Sequence, residues 1–544
     1  MRMRAPQRAR VAERAALSWR AVSSTGPNRG TSPTPDSFNR GLAAALPAVV
    51  ALAYALGHLD WYLSTPLGRV PVLDERENLD LAAAIAGGTL PAAPFYRAPA
   101  YALVLACMRW MGVPAAGLFP AALLLGAGLH ALNAALVAGI ARRWFGGRAG
   151  LLGGLVFGLD PVMVHYATQA LDSTLSLTLF LAGLSCAAAA LDAPERAGKW
   201  AGAGIAWAAA ALVRPNYLVV WAVLPVLALL QRGIPGMRAR ILGASLAGIL
   251  LFGAASAWQW SVCGVAGFLP WQGAYNLWAA NRPGANGRYY TQRVSLPPEV
   301  ARANPARAES ILLYEQETGG KPPAIPLMNA HWRMRFLAEI SSHPLRWGAL
   351  MARKAYALLN NWEQYNNKTF AFHKARSPWL RWNPICWGAL LMLGVAGAAR
   401  LASESPRSAA ALASIWAACA ASILLFFVSA RFRLPLASML AVLAGGALCR
   451  PAFWRGWSPG ARAALAGLVV LAGAAAFSNL GNVQDPSTFV QDHALLARAA
   501  YTVGDDATAL FEAQEALRMQ PWHPDALAIQ DAVRAEAGRR ELGP

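Results

Sequence analysis

The sequence predicts an all-α polytopic membrane protein of about eleven transmembrane helices, with outer-side loops and a C-terminal α-helical hairpin. Three observations carry this reading. Over 544 residues the chain is 56% hydrophobic and only 14% charged, against roughly 25% charged in soluble domains, and its mean hydropathy is +0.34. Apolar runs recur at close to the ~20 residues that a spanning helix requires. The connectors between these runs alternate between short basic turns and longer polar stretches.

Residues 1–40 carry eight arginines against Glu13 and Asp36 and end in Ser/Thr/Pro/Gly-rich sequence. Such a segment buries no core and reads as a disordered basic cytoplasmic tail. An apolar run from Gly41 to Leu59 follows, with no small-residue cleavage site at a suitable distance, and reads as an uncleaved anchor. Ten further runs lie near 117–140, 149–166, 170–191, 200–213, 216–231, 239–262, 383–400, 409–428, 434–449 and 462–480. The connectors 141–148, 195–199, 231–240, 400–407 and 450–462 are short and basic, which assigns them to the cytoplasm. Arg214-Pro215-Asn216 marks either a connector or a hinge in one long helix.

The outer side then receives residues 60–116, a loop over 263–382 and a tail from 481 onward. The N-terminus falls inside and the C-terminus outside, in an integral plasma (inner) membrane protein. The stretch 101–111 has an apolar face but is too short to span, and is expected along the interface. The large loop is rich in Trp, Asn, Arg and Pro, side chains that suit carbohydrate and are equally ordinary in turns. In the tail, 481–544, Leu496, Gly504, Ala509, Ala516 and Pro521 follow the spacing of a tetratricopeptide unit. The tail either recruits an acceptor or packs on the membrane domain, 41–480.

The net charge of +20 does not indicate nucleic acid, because the arginines sit in short patches beside apolar runs with no basic domain. The six cysteines are scattered without ligand spacing and read as inert core residues. His130, His165, His331, His343 and His373 show no ligand spacing either.

Candidate chemistry gathers at the outer ends of the runs. Pro71-Val-Leu-Asp74-Glu75-Arg-Glu-Asn, just past the first span, is followed by Gly87-Gly-Thr-Leu-Pro and Pro94-Phe-Tyr-Arg97-Ala-Pro99. Asp172, in Gln169-Ala-Leu-Asp-Ser-Thr, starts a later helix, where an aspartate either caps the helix or faces the same mouth. Asp160, in Leu159-Asp-Pro161, is a second candidate for that place. Arg214, Arg431 and Arg433 lie at outer ends of spans, where arginine serves a cavity or snorkels.

The order of these motifs resembles the GT-C superfamily of polyprenyl-phosphate-dependent glycosyltransferases, the group of protein O-mannosyltransferases and the aminoarabinose transferase of lipid A. Its first outer loop carries an acidic pair and then a basic residue before a proline, matched here by Asp74-Glu75 and Arg97. Asp172 stands where a second acidic residue is expected. Ala211-Leu-Val-Arg-Pro-Asn216, Ala280-Asn-Arg-Pro-Gly-Ala-Asn-Gly287 and Ser429-Ala-Arg-Phe-Arg-Leu-Pro435 match later elements. Arg97 replaces the lysine of the lipid A branch, and Asp172 stands where glutamate is frequent.

The resemblance implies an inverting transfer of a sugar from a polyprenyl-phosphate-linked donor to an extracytoplasmic acceptor, with membrane lipids around it and no nucleic acid. The departing lipid phosphate is a stable anion, so the site needs a base or orienting carboxylate and cations for the phosphate. Asp74 is then the base, Glu75 positions the acceptor or the loop, and Asp172 is the second carboxylate. Arg97 binds phosphate as a bidentate fork, and Arg214, Arg431 and Arg433 either join it or snorkel. Convergence of Asp74 and Asp172 would suit a divalent metal; family members differ on metal use, and no cofactor is assigned. Two other readings stand beside this one. A transporter or flippase places its polar site at the bilayer midplane, and an O-antigen ligase-like transferase takes a lipid diphosphate donor.

Overall fold

The computed structural model describes residues 42–230, 236–294, 296, 304–320 and 324–541. The basic tail expected over 1–40 lies outside them. The described chain is helical, with no strand, and divides into a bundle of apolar helices, a layer of helices across one end of it and a docked tail.

The bundle begins with α1 (Leu42–Ser64); α2 (Asp74–Ala86) and α3 (Ala100–Trp110) build the first outer loop. The chain returns through α4 (Leu118–Phe145), the bent pair α5 (Gly147–Gly158) and α6 (Pro161–Ala167), α7 (Asp172–Asp192), α8 (Ala197–Val213), α9 (Leu218–Leu230) and α10 (Met237–Cys263). The large outer loop folds as α11 (Gln272–Ala279), α12 (Pro305–Thr318), α13 (Ile325–Ser342), α14 (Pro344–Leu359) and α15 (Phe370–Arg376). The bundle closes with α16 (Trp387–Glu404), α17 (Pro406–Leu425), α18 (Ala430–Cys449) and α19 (Pro459–Phe477), and the tail holds α20 (Phe489–Thr502), α21 (Asp506–Met519) and α22 (Pro524–Glu541).

Among the described residues, seven helices are long and apolar enough to cross a membrane, and eight if the bent pair is one span. The remaining expected runs form α8, α9 and α16, of 17, 13 and 18 residues. The 59° bend between α5 and α6 has a local cause. Pro161 starts α6 and Asp160 caps it, its Oδ1 accepting from the Val162 N–H at 2.8 Å.

Small residues set the packing. Gly397 of α16 lies against the Leu443 carbonyl of α18, and Gly153 of α5 faces Gly445 of α18, so a side chain at either place would strike backbone. The spanning stretch of α18 is 83% buried, whereas that of α19 is 11% buried; α18 is therefore the central helix and α19 faces lipid. One end of the bundle is closed by Arg143–Asp192 at 2.6 Å, Arg240 to the Pro194 carbonyl at 3.3 Å and Arg400 to the Gly446 carbonyl at 2.6 Å. All three arginines come from the basic connectors or their edges. The opposite end carries α2, the large loop and the tail.

Aromatic and amide residues of the large loop serve packing within it and bonds to the helices beside it. Trp278, Trp332 and Tyr275 form its core, the Tyr275 and Tyr290 hydroxyls donate to the buried Glu309 carboxylate, and Asn360 bonds backbone carbonyls. The tail is docked: Leu496 and Ala499 of α20 share a core with Leu59, Tyr62, Val72 and Tyr101. A second, alanine-lined core joins α20, α21 and α22.

Candidate functional site

α2 starts at Asp74, immediately after Leu73, whose φ of 48° lies in the left-handed region. A leucine adopts that conformation only where tertiary contacts impose it. The contacts come from Glu75, whose carboxylate accepts from the Val72 N–H at 3.4 Å and the Ala170 N–H at 3.3 Å. The loop end is thereby tied to the residues just before α7, and Asp74 is aimed at Asp172.

Three basic and acidic elements meet there. Arg431, the second residue of α18, donates to Asp74 Oδ2 at 2.8 Å and to Asp172 Oδ1 at 2.6 Å. Arg97 forks between Asp74 and Glu77, and the Phe95 carbonyl beside it is held by the Trp271 N–H at 3.1 Å. The Arg431 side chain is 5% exposed, whereas those of Asp74 and Asp172 are 17% and 16% exposed. The carboxylates thus reach solvent at the mouth of the site while the cation between them is buried. Burial raises the Asp74 carboxyl, but the Arg97 and Arg431 guanidiniums outweigh that and hold it well below the usual carboxylate range. Arg97 is correspondingly raised: burial disfavours its charge, and Asp74 and Glu77 more than offset that.

Asp172 does not cap its helix. It is the first residue of α7, the N-cap is Leu171, and no side-chain cap bond forms, so the carboxylate is spent on Arg431. Asp160 caps α6 instead and stays out of this cluster.

Arg214 lies alongside. Its guanidinium donates to the Arg431 carbonyl at 3.4 Å and stacks 4.5 Å over the Phe432 ring. With Arg431, Asn216 and Tyr217 it lines a small cavity. Arg214 Nη2, Asn216 Nδ2 and Arg431 Nε are buried donors with no acceptor among the described residues. Buried donors are rarely left unpaired, and three of them on one cavity define a place for an acceptor-rich, anionic group.

Two expected site residues turn elsewhere. Glu75 is buried in an ion pair with Lys368 at 3.0 Å, both side chains at most 2% exposed; it holds the loop. Arg433 pairs with Glu363 at 2.6 Å and donates to the Asn360 and Trp362 carbonyls, tying α18 to the large loop. Conversely, Glu77, Asn366 and Lys368 take part in or beside the cluster without having been read from the sequence. Glu77 was findable, since residues three apart on a helix share a face and Asp74-Glu-Arg-Glu77 opens one. Asn366, which accepts from Arg431 at 3.3 Å, carries no local signal.

Among the described residues no group of three or more His, Cys, Asp or Glu side chains is arranged around a metal position. Both Asp74 oxygens and one of Asp172 are engaged by guanidiniums, so the cluster as built does not fit a divalent cation.

No family model matches the chain, and no curated protein matches it. Solved structures similar to it include the apo oligosaccharyltransferase of Archaeoglobus fulgidus, with a TM-score of 0.46 and 12% identity over 81% of this chain and 55% of that one. The same archaeal enzyme, AglB, with an inhibitory peptide and a dolichol-phosphate gives 0.43 and 14% over 90% and 59%. ArnT of Cupriavidus metallidurans bound to undecaprenyl phosphate gives 0.31 and 18% over 76% and 79%. The chain spans little more than half the length of the oligosaccharyltransferase.

Proposed function

We propose that this multi-pass membrane protein is an inverting glycosyltransferase that takes a sugar from a polyprenyl-phosphate-linked donor and adds it to an extracytoplasmic acceptor. One observation carries the reading: Asp74 and Asp172 share the buried Arg431 at the outer helix ends, next to a cavity with three unpaired donors. A cluster of that kind accepts a phosphate on its cationic side and a hydroxyl or amine on its acidic side.

The chemistry follows from competition for the guanidiniums. With the site empty, Asp74 is doubly ion-paired and weakly basic. An entering donor phosphate draws Arg97 and Arg431 toward itself, with Arg214 alongside, and this returns basicity to Asp74 as the donor binds. The acceptor oxygen or nitrogen then attacks the anomeric carbon while Asp74 takes its proton. The sugar–phosphate bond breaks, and the polyprenyl phosphate leaves into the arginine cluster, where its developing charge is stabilised. Asp172 orients the acceptor and Arg431. No step is routed through a metal.

The cluster sits at the termini of α2, α7 and α18 and not along their middles, which favours the transferase over a transporter with a midplane site. The short basic connectors gathered at the opposite end of the bundle support a topology with the N-terminus in the cytoplasm and the large loop and C-terminus outside. The direct test is equilibrium binding of a short-chain polyprenyl phosphate to the purified protein. Wild type binds it saturably, and Arg431→Gln loses about tenfold to a hundredfold in affinity, as expected for a charge-assisted pair. Equal binding by the two proteins excludes Arg431 as the phosphate anchor.

A further inference from the structure

Between α14 and α15 the turn Asn366–Asn367–Lys368 touches the cluster, the first outer loop and the tail within four consecutive residues. The Lys368 N–H closes the turn onto the Asn366 carbonyl at 2.7 Å, with Asn367 at φ 62° in the left-handed region, which asparagine tolerates better than other side-chain-bearing residues. The Asn366 side chain accepts from Arg431 at 3.3 Å and donates to Ser429 Oγ at 3.3 Å. Lys368 Nζ donates to Glu75 at 3.0 Å and to the Tyr62 hydroxyl at 2.7 Å. The Thr369 N–H donates to Asp492 Oδ1 at 2.8 Å, and the Thr369 hydroxyl bonds that of Thr488 at 3.0 Å.

Asp492 belongs to α20, the first helix of the tail, and is 0% exposed. Its Oδ1 also contacts His373 Nε2 at 3.1 Å, while Oδ2 has no partner among the described residues. A carboxylate buried at that cost serves the groups it holds. It holds the turn that holds Glu75, and Glu75 holds the strained entry to Asp74.

We infer that Asp492 and Lys368 are positioning residues, and that docking of the tail through Asp492 sets the Asn366–Thr369 turn, which in turn fixes Asp74 and Arg431 in the geometry needed for transfer. Neither residue touches the reacting atoms. The tail is therefore a part of the site's scaffold, and its undocking disassembles the site without any change in the residues that line it. This inference rests on the proposed function for the reaction it serves, but the coupling itself is a property of the fold.

The test compares wild type with Asp492→Ala, Asp492→Asn and the double variant Lys368→Met with Glu75→Gln, all as full-length protein. Hydrogen exchange, which needs no turnover, is followed in peptides covering 72–78 and 366–369. Kinetics are expressed per folded molecule. Asp492→Ala is expected to speed exchange across 72–78 by about tenfold or more, a local opening away from the substituted residue. It is expected to lower kcat by about tenfold with donor KM within about twofold of wild type. Asp492→Asn keeps the acceptor oxygen and recovers most of kcat. The double variant removes the Lys368–Glu75 link without stranding a buried charge; because Glu75 lies within 72–78, it is read through kcat per folded molecule and donor KM, and it decides the inference if the alanine variant does not fold. Exchange at 72–78 and 366–368 unchanged from wild type overturns the inference, as does an unchanged kcat per folded molecule. If wild type shows no transfer at all, the proposed function fails, and exchange at 72–78 decides the coupling alone.

Discussion

At the residue scale, the account turns on which side chains face the outer cluster. Arg97 forks between Asp74 and Glu77, whereas Arg76, closer in sequence to the acidic pair, is exposed beside Asp80. Arg97→Ala should weaken binding of polyprenyl phosphate by about tenfold to a hundredfold, since hydrogen bonds to charged groups contribute roughly 1.5–3 kcal/mol. Arg97→Lys should retain part of it, as a point charge without the fork; isothermal titration of the two variants checks the order. Lys354 of α14 supplies a second prediction. It donates to Asn281, Leu424 and Phe426 with no carboxylate beside it, and burial pushes its pKa down to about 7. The unfolded chain then holds more protons than the native one between that value and the ordinary lysine range. Stability should rise with pH over that window, by up to about 1.4 kcal/mol per unit. Thermal unfolding between pH 7 and 9 should show this slope, and Lys354→Met should flatten it. An identical slope in the variant would assign it to other groups. Asp74, Asp172, Arg97, Arg214 and Arg431 were legible in the sequence because carboxylates and arginines at helix ends beside a membrane are uncommon. The partition of Glu75 and Arg433 away from the cluster was not legible, because it depends on Lys368, 293 positions from Glu75, and on Glu363, 70 positions from Arg433.

At the element scale, apolar runs and punctuation located the helices well. Proline and Asp160 account for the α5–α6 break, and the alanine and leucine spacing of the tail shows as α20, α21 and α22. What no local pattern carried is the docking of α20, since Asp492 meets Thr369 and Leu496 joins the core that holds Tyr62 only in the folded chain. This sets the expectation for a truncation after Gly481. Removing α20 strips Leu496 from the core, worth about 1.5–3 kcal/mol for a buried side chain, and leaves the Thr369 N–H unpaired at a further ~1–3 kcal/mol. The truncated protein should melt several degrees lower and lose turnover of donor together with transfer to acceptor. Full donor turnover with loss only of transfer to a native acceptor would instead mark the tail as a recruitment arm.

At the scale of the whole molecule, two ends of different chemistry define the protein. The basic connectors gather at one end, and the acidic–arginine cluster, the large loop and the tail gather at the other. Reporter fusions at Arg148, Gly320 and Pro544 should read inside, outside and outside; a cytoplasmic Pro544 would mean that α8, α9 or α16 fails to cross. The central claim is that the outer cluster transfers a sugar from a lipid phosphate. Its most direct measurement is release of polyprenyl phosphate from a polyprenyl-phosphate-linked sugar by purified wild-type protein and by Asp74→Asn in parallel. The account predicts acceptor-dependent release by wild type and a loss of about a hundredfold or more in the folded variant, within the range of general base catalysis. Equal release by the two proteins would contradict it.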